Sequence, residues 1–102
     1  MLPAPLTREQ AIERIVASEP EIRALGVQQL ALFGSVVRNE ASSSSDVDLL
    51  VQFRPGTETY SRFFALSELL EARLGRTVEL VTVEALSPFI GPHILAEAEN
   101  VF

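Results

Sequence analysis

From Asp46 to Phe53, the residues Val47, Leu49, Val51 and Phe53 alternate with Asp46, Asp48, Leu50 and Gln52. A period of two is that of a β-strand, whose successive side chains leave opposite faces. No other stretch constrains the chain as much, because it requires a sheet and puts both aspartates on one side of it. A second strand is expected over Gln28–Phe33, where the apolar run QQLALF stops at Gly34, as a buried strand does on entering a tight turn. A third is expected over Thr77–Thr82, directly after Gly75 and Arg76.

Helices alternate with these strands. Thr7 and Gln10 stand three apart, the spacing of a capping box, so a helix is expected to start there. Ala11, Ile12, Ile15 and Val16 continue it at helical spacing, Pro20 interrupts it, and Gly26 closes a short second piece. Residues 7–25 thus read as helix, break and helical turn. Phe63, Leu66, Leu70 and Leu74 form the apolar stripe of another helix, stopped by Gly75. The last is expected over Pro92–Glu99, after the Gly91-Pro92 break. Arg54-Pro55-Gly56-Thr57 suits a type II turn, and Ala41–Ser45, ASSSS, has too little apolar surface to anchor itself and is expected to be a mobile loop. The expected fold is α/β, a small mixed three-stranded sheet flanked by helices, in one domain spanning 1–102.

At 102 residues with 47% hydrophobic and 22% charged side chains, the chain has the composition of one small globular core. Its formal charge of -6 disfavours a polyanion, so direct contact with nucleic acid is not expected. A single nucleotide remains compatible, because a bound metal ion supplies positive charge locally. Without cysteine there are no disulfides and no thiolate chemistry. The start, MLPAPLTREQ, lacks the layout of a signal peptide, and no apolar run approaches the roughly 20 residues of a membrane span. A cytoplasmic protein with no membrane association is expected.

Asp46 and Asp48, at i and i+2, leave one face about 7 Å apart at the backbone and can converge on a hard cation. Magnesium suits them, being held by one or two carboxylates together with substrate phosphates. Alone, D-x-D is more often a polar strand end than a metal site. Gly34-Ser35 ends the preceding strand and opens a turn, helical in one reading, whose N–H groups and hydroxyl can receive phosphate oxygens. Ten residues separate Ser35 from Asp46, giving G-S-x10-D-x-D with both ends able to face one cleft.

The segment LALFGSVVRNEASSSSDVDLLVQF resembles the signature of the DNA polymerase β nucleotidyltransferase superfamily, and more narrowly its minimal nucleotidyltransferase (MNT) group. The likeness continues through LLEARLGR, TVELVTVEALSP and AEAENVF. It implies that Gly34 and Ser35 bind the triphosphate of ATP, the substrate, and that Asp46 and Asp48 bind magnesium. It also implies a third carboxylate on the third strand, which here is Glu79, so that Asp46, Asp48 and Glu79 form the catalytic, metal-binding set. The family usually has aspartate there, and glutamate is one methylene longer, which puts catalysis in question; Glu84 is the nearest alternative in sequence. A carboxylate between Val78 and Leu80 is costly to bury unless paired or metal-bound, whereas at an edge strand it need only face solvent. Arg38, one helical turn after Ser35, is a candidate phosphate ligand and equally a plain surface arginine. Asn39 takes a place where the resembling proteins have glycine.

Such MNT proteins are often antitoxins of HEPN-domain ribonuclease toxins, which they neutralise by binding, by transferring AMP from ATP to a toxin tyrosine, or by both. The resemblance therefore implies a protein adenylyltransferase with a HEPN-domain toxin partner. The alternatives are an antitoxin that acts by binding with a weakened site, and a small-molecule nucleotidyltransferase. The chain reads as a bare catalytic core, whose target comes from elsewhere, and hetero-oligomer and homodimer both stay open. Apolar surface for a partner is expected at Ile94, Leu95, Val101 and Phe102. His93, the only histidine, reads as structural, and Tyr60, Phe63 and Phe64 as core or partner surface.

Overall fold

A computed structural model describes residues 5–42 and 45–102. Helix α1 spans Arg8–Ala17 and opens on the expected capping box: Gln10 N donates to Thr7 Oγ1 at 3.1 Å and Thr7 N to Gln10 Oε1 at 3.0 Å. Helix α2 spans Glu19–Ala24. The break falls at Ser18, and Pro20 sits in the first turn of α2, where its missing N–H is no loss.

Strands β1 (Val27–Phe33) and β2 (Val47–Phe53) pair antiparallel, and β3 (Val78–Thr82) runs parallel to β2. The return from β2 to β3 is made by α3, Tyr60–Leu74, which ends at Gly75 with φ +67°. A short 3-10 turn, Val83–Ala85, leads to α4, Gly91–Glu97. A fourth strand, β4 (Glu99–Asn100), was not expected. It pairs antiparallel with the outer edge of β1, so the sheet has four strands in the order β3-β2-β1-β4 rather than three. Two polar residues carry no strand period, and only contact with β1 makes them one.

The sheet has unequal faces. Leu30, Leu32, Val47, Leu49, Val51 and Val78 turn to one side and pack with Ala11, Ile15, Ile22, Leu66, Leu70 and Leu74 of the three helices. On the other side Ala31, Phe33 and Leu50 form a smaller cluster with Val81, Val83, Leu86, Ile94 and Ala98. This thin cover leaves the start of β2 open on the side of Asp48. Val101 and Phe102 pack against the main core, correcting the expectation that they form a partner surface, and Arg23 stacks on the Phe102 ring at 4.5 Å. Ile94 is also half-buried, while Leu95 is exposed, as are Phe89 and Ile90 just before it.

Of the 41–45 loop, residues 43 and 44 lie outside the described residues. Ala41 packs on the core, and Ser42 N donates to Ser45 Oγ at 2.9 Å. Asn39 has φ +55°, a left-handed conformation that asparagine tolerates better than most residues, so it ends the turn as glycine would. Its Oδ1 also accepts from Arg8 N at 3.0 Å, capping α1. Asn39→Ala is therefore expected to cost about 2 kcal/mol in urea unfolding, and Asn39→Gly about half that, since glycine loses only the cap. Equal losses would show that the backbone conformation contributes nothing.

Candidate active site

Three strand ends build the site. Phe33 lies opposite Asp48 in the β1–β2 ladder, and Asp48 lies opposite Glu79 in the β2–β3 ladder. Residues opposed across a ladder share a face, so Asp48 and Glu79 project together on the thinly covered side. Asp46 is exposed, just ahead of β2. Glu79 is exposed too, on an edge strand. The burial cost weighed from its apolar neighbours does not arise, because Val78 and Leu80 point to the opposite face. Glu84, in the 3-10 turn, is exposed; the ladder selects Glu79 as the neighbour of Asp48.

Asp48 is pushed up from the ordinary carboxylate range to about 6. Burial is the largest cause, followed by Glu79, which is close enough to accept a hydrogen bond from a protonated Asp48, and then by the charges of Asp46 and Glu97. Gly34 is forced by the same crowding. It has φ +79°, and a Cβ built there would stand 2.0 Å from Asp48 Oδ2. Only glycine lets the turn after β1 come this close to the aspartate.

The turn is not a helix. Residues 35–39 form a run of turns closed by Asn39 N to Val36 O at 3.1 Å and Glu40 N to Ser35 O at 2.8 Å. The helical reading of Gly34-Ser35 is thus corrected: the segment has backbone donors without an aligned helix behind them. Arg38 is exposed and pairs with Glu40 at 3.1 Å and with Glu97. Gly34 N donates to Glu97 Oε2 at 3.2 Å. Glu97 is the site residue that sequence reasoning missed, since 63 positions separate it from Gly34 and no local pattern marks it. His93 is exposed on α4, away from any such ladder position.

The oxygen-only donors fit a hard cation. Among the described residues no three carboxylates are drawn into a ready-made ligand cluster. A surface groove of about 440 Å³ lies by Tyr60, Phe64 and Thr82. Thr82 pairs with Val51, at the far end of β3 from Glu79, so that groove is not the carboxylate site. A smaller one of about 260 Å³, lined by Gln29, Leu50, Gln52, Leu95 and Asn100, shares the face of Asp48.

The family model for polymerase β nucleotidyltransferases matches residues 10–102. The chain belongs to this nucleotidyltransferase family. It is 40% identical over 99 residues to the protein adenylyltransferase MntA of Thermococcus cleftensis, covering 96% of this chain and 99% of that one. A solved structure described as a minimal nucleotidyltransferase superposes with a TM-score of 0.80 at 34% identity, covering 91% of this chain and 94% of the other. The fold is shared at 18% identity with a chain of a tri-AMPylated HEPN toxin complex with MNT antitoxin from Shewanella oneidensis (TM-score 0.65, 94% and 72% covered). Among the described residues, no helix is long and apolar enough to cross a membrane.

Proposed function

We propose that this nucleotidyltransferase transfers AMP from ATP to a hydroxyl of a HEPN-domain toxin, a tyrosine, and binds that toxin as its antitoxin. The observation that carries the reading is the contact between the Gly34 turn and Asp48, with Glu79 beside it. Triphosphate and cation sites need this adjacency, because the cation must neutralise the same oxygens that the turn holds. Similarity to a protein adenylyltransferase along nearly its whole length supports the substrate, and the shared fold of an MNT antitoxin supports the partner.

In this reading Gly34 N–H and the Ser35 hydroxyl hold the triphosphate, Arg38 adds a charge to it, and Asp46, Asp48 and Glu79 hold magnesium. When bound, the metal neutralises phosphate charge and polarises the reacting phosphorus. The groove lined by Gln29, Leu50 and Gln52 on the face of Asp48 is the one that would take the nucleoside. The acceptor oxygen forms a bond to the α-phosphorus, the bond from that phosphorus to the bridging oxygen breaks, and pyrophosphate leaves. The acceptor proton passes to the Glu79 carboxylate, which the exposed edge of β3 presents to an incoming protein. Glu79 is exposed beside Asp48, so among the described residues its extra methylene has room and its longer reach is compatible with activity. Phe89, 87% exposed, with Ile90 and Leu95 supplies apolar surface for a partner, and the net charge of -6 suits a basic one.

The test is incubation with labelled ATP, magnesium and the toxin encoded by the adjacent gene, followed by mass spectrometry and size exclusion. Label on a toxin tyrosine and co-elution are the expected results. Co-elution with an unlabelled toxin would leave the binding antitoxin in place of the enzyme, and label on a small molecule would favour the third reading.

A further inference from the structure

Glu97 ends α4 with its carboxylate on two donors from one turn. Oε2 accepts from Gly34 N at 3.2 Å, and Oε1 accepts from Arg38 Nη1. One anionic group bridging a backbone N–H and a guanidinium does there what a phosphate would do. Its charge also reaches Asp48, so it stands between the turn and the carboxylates. A glutamate and a phosphoryl group cannot occupy these donors together. We propose that Glu97 is an internal anion that occupies the phosphate donors of the 34–38 turn and is displaced when a nucleoside triphosphate binds.

The inference rests on the nucleotidyltransferase reading of that turn. Its consequence is a gate. The fraction of molecules with Glu97 withdrawn multiplies the intrinsic affinity for triphosphate, and release of Glu97 frees the end of α4 beside β4. The neighbouring contacts are consistent with a side chain that can leave. Glu97 is half-buried, Arg38 keeps Glu40 as a second partner at 3.1 Å, and β4 remains paired to β1 through Ala31 and Leu32.

Calorimetry of the full chain with magnesium-ATP and with magnesium-tripolyphosphate tests the gate. Glu97→Ala is expected to bind both ligands about tenfold more tightly, and Glu97→Gln, which keeps the acceptor and loses the charge, about threefold. The gain must be equal for the two ligands, because Glu97 competes with phosphate and not with the base. The Gly34 amide resonance of each variant is expected to move in the absence of ligand. Unchanged or weaker affinity in a variant that melts like the wild type overturns the gate and, if the wild type binds magnesium-ATP, leaves the nucleotidyltransferase reading intact. Should Glu97→Ala fail to fold, Glu97→Gln decides by the same criteria. A folded wild type and folded variants that bind neither ligand overturn both.

Discussion

Asp48→Asn is expected to lower AMP transfer by roughly a thousandfold or more, about 4 kcal/mol of barrier, and at the same time to make the metal-free chain more stable. The two effects share one cause. Partial burial first, and then the neighbouring carboxylates Glu79, Asp46 and Glu97, push the Asp48 pKa from 3.8 to about 6. For a carboxyl with a raised folded-state pKa, the folded state holds the proton more tightly than the unfolded one. The group is neutral in both states below about pH 4 and costs stability as pH rises through 6, the whole cost being present above that. The shift alone corresponds to about 3 kcal/mol, but a side chain this exposed is screened by solvent, leaving about 1 kcal/mol. At pH 7.5 in chelator, Asp48→Asn should melt roughly 5 °C higher than the wild type, and the gap should close near pH 4. A variant that loses transfer and melts lower would show that Asp48 stabilises the fold, contrary to the crowding described above. Magnesium with ATP should raise the melting temperature of the wild type and not that of Asp48→Asn.

Gly34→Ala should be nearly as damaging to function through a different route. At φ +79° an alanine is strained by about 1–2 kcal/mol, and its Cβ would lie 2.0 Å from Asp48 Oδ2. The carboxylate is the end of a short side chain and can rotate away more cheaply than the backbone can move. The fold is therefore expected to survive with a loss of about 2 kcal/mol, while Asp48 is turned out of the site. Transfer should fall about a hundredfold or more, and the affinity for magnesium-ATP about tenfold. Ser35→Ala, which removes one hydroxyl and moves nothing, serves as the control and should cost less in both. Near-normal transfer by a folded Gly34→Ala chain would mean that the turn does not approach Asp48 as closely in solution.

Much of this was legible in the residues because it depends on local physics. The Thr7–Gln10 capping box, the helix stop at Gly75 and the two-residue period of β2 are set by neighbours along the chain, and they appear where the pattern put them. The spacing from Gly34-Ser35 to Asp46 and Asp48, together with the resemblance it carries, pointed to the family that the full-length match bears out. Other features required the chain to return on itself. The pairing of Asp48 with Glu79 is a register between parallel strands joined by α3, and no pattern within either strand specifies it. The two-residue β4 exists only because β1 offers it a free edge, and that pairing draws Val101 and Phe102 onto the core and out of the partner surface. Glu97 reaches Gly34 and Arg38 only because α4 folds over the far face of the sheet. The helices, the three longer strands and the placing of Asp46 and Asp48 follow from side-chain type and spacing, and Glu79 from the resemblance, all of them read from the sequence. Which carboxylates face each other, and which one holds Gly34 N and Arg38, follows from long-range packing that the tertiary structure alone decides.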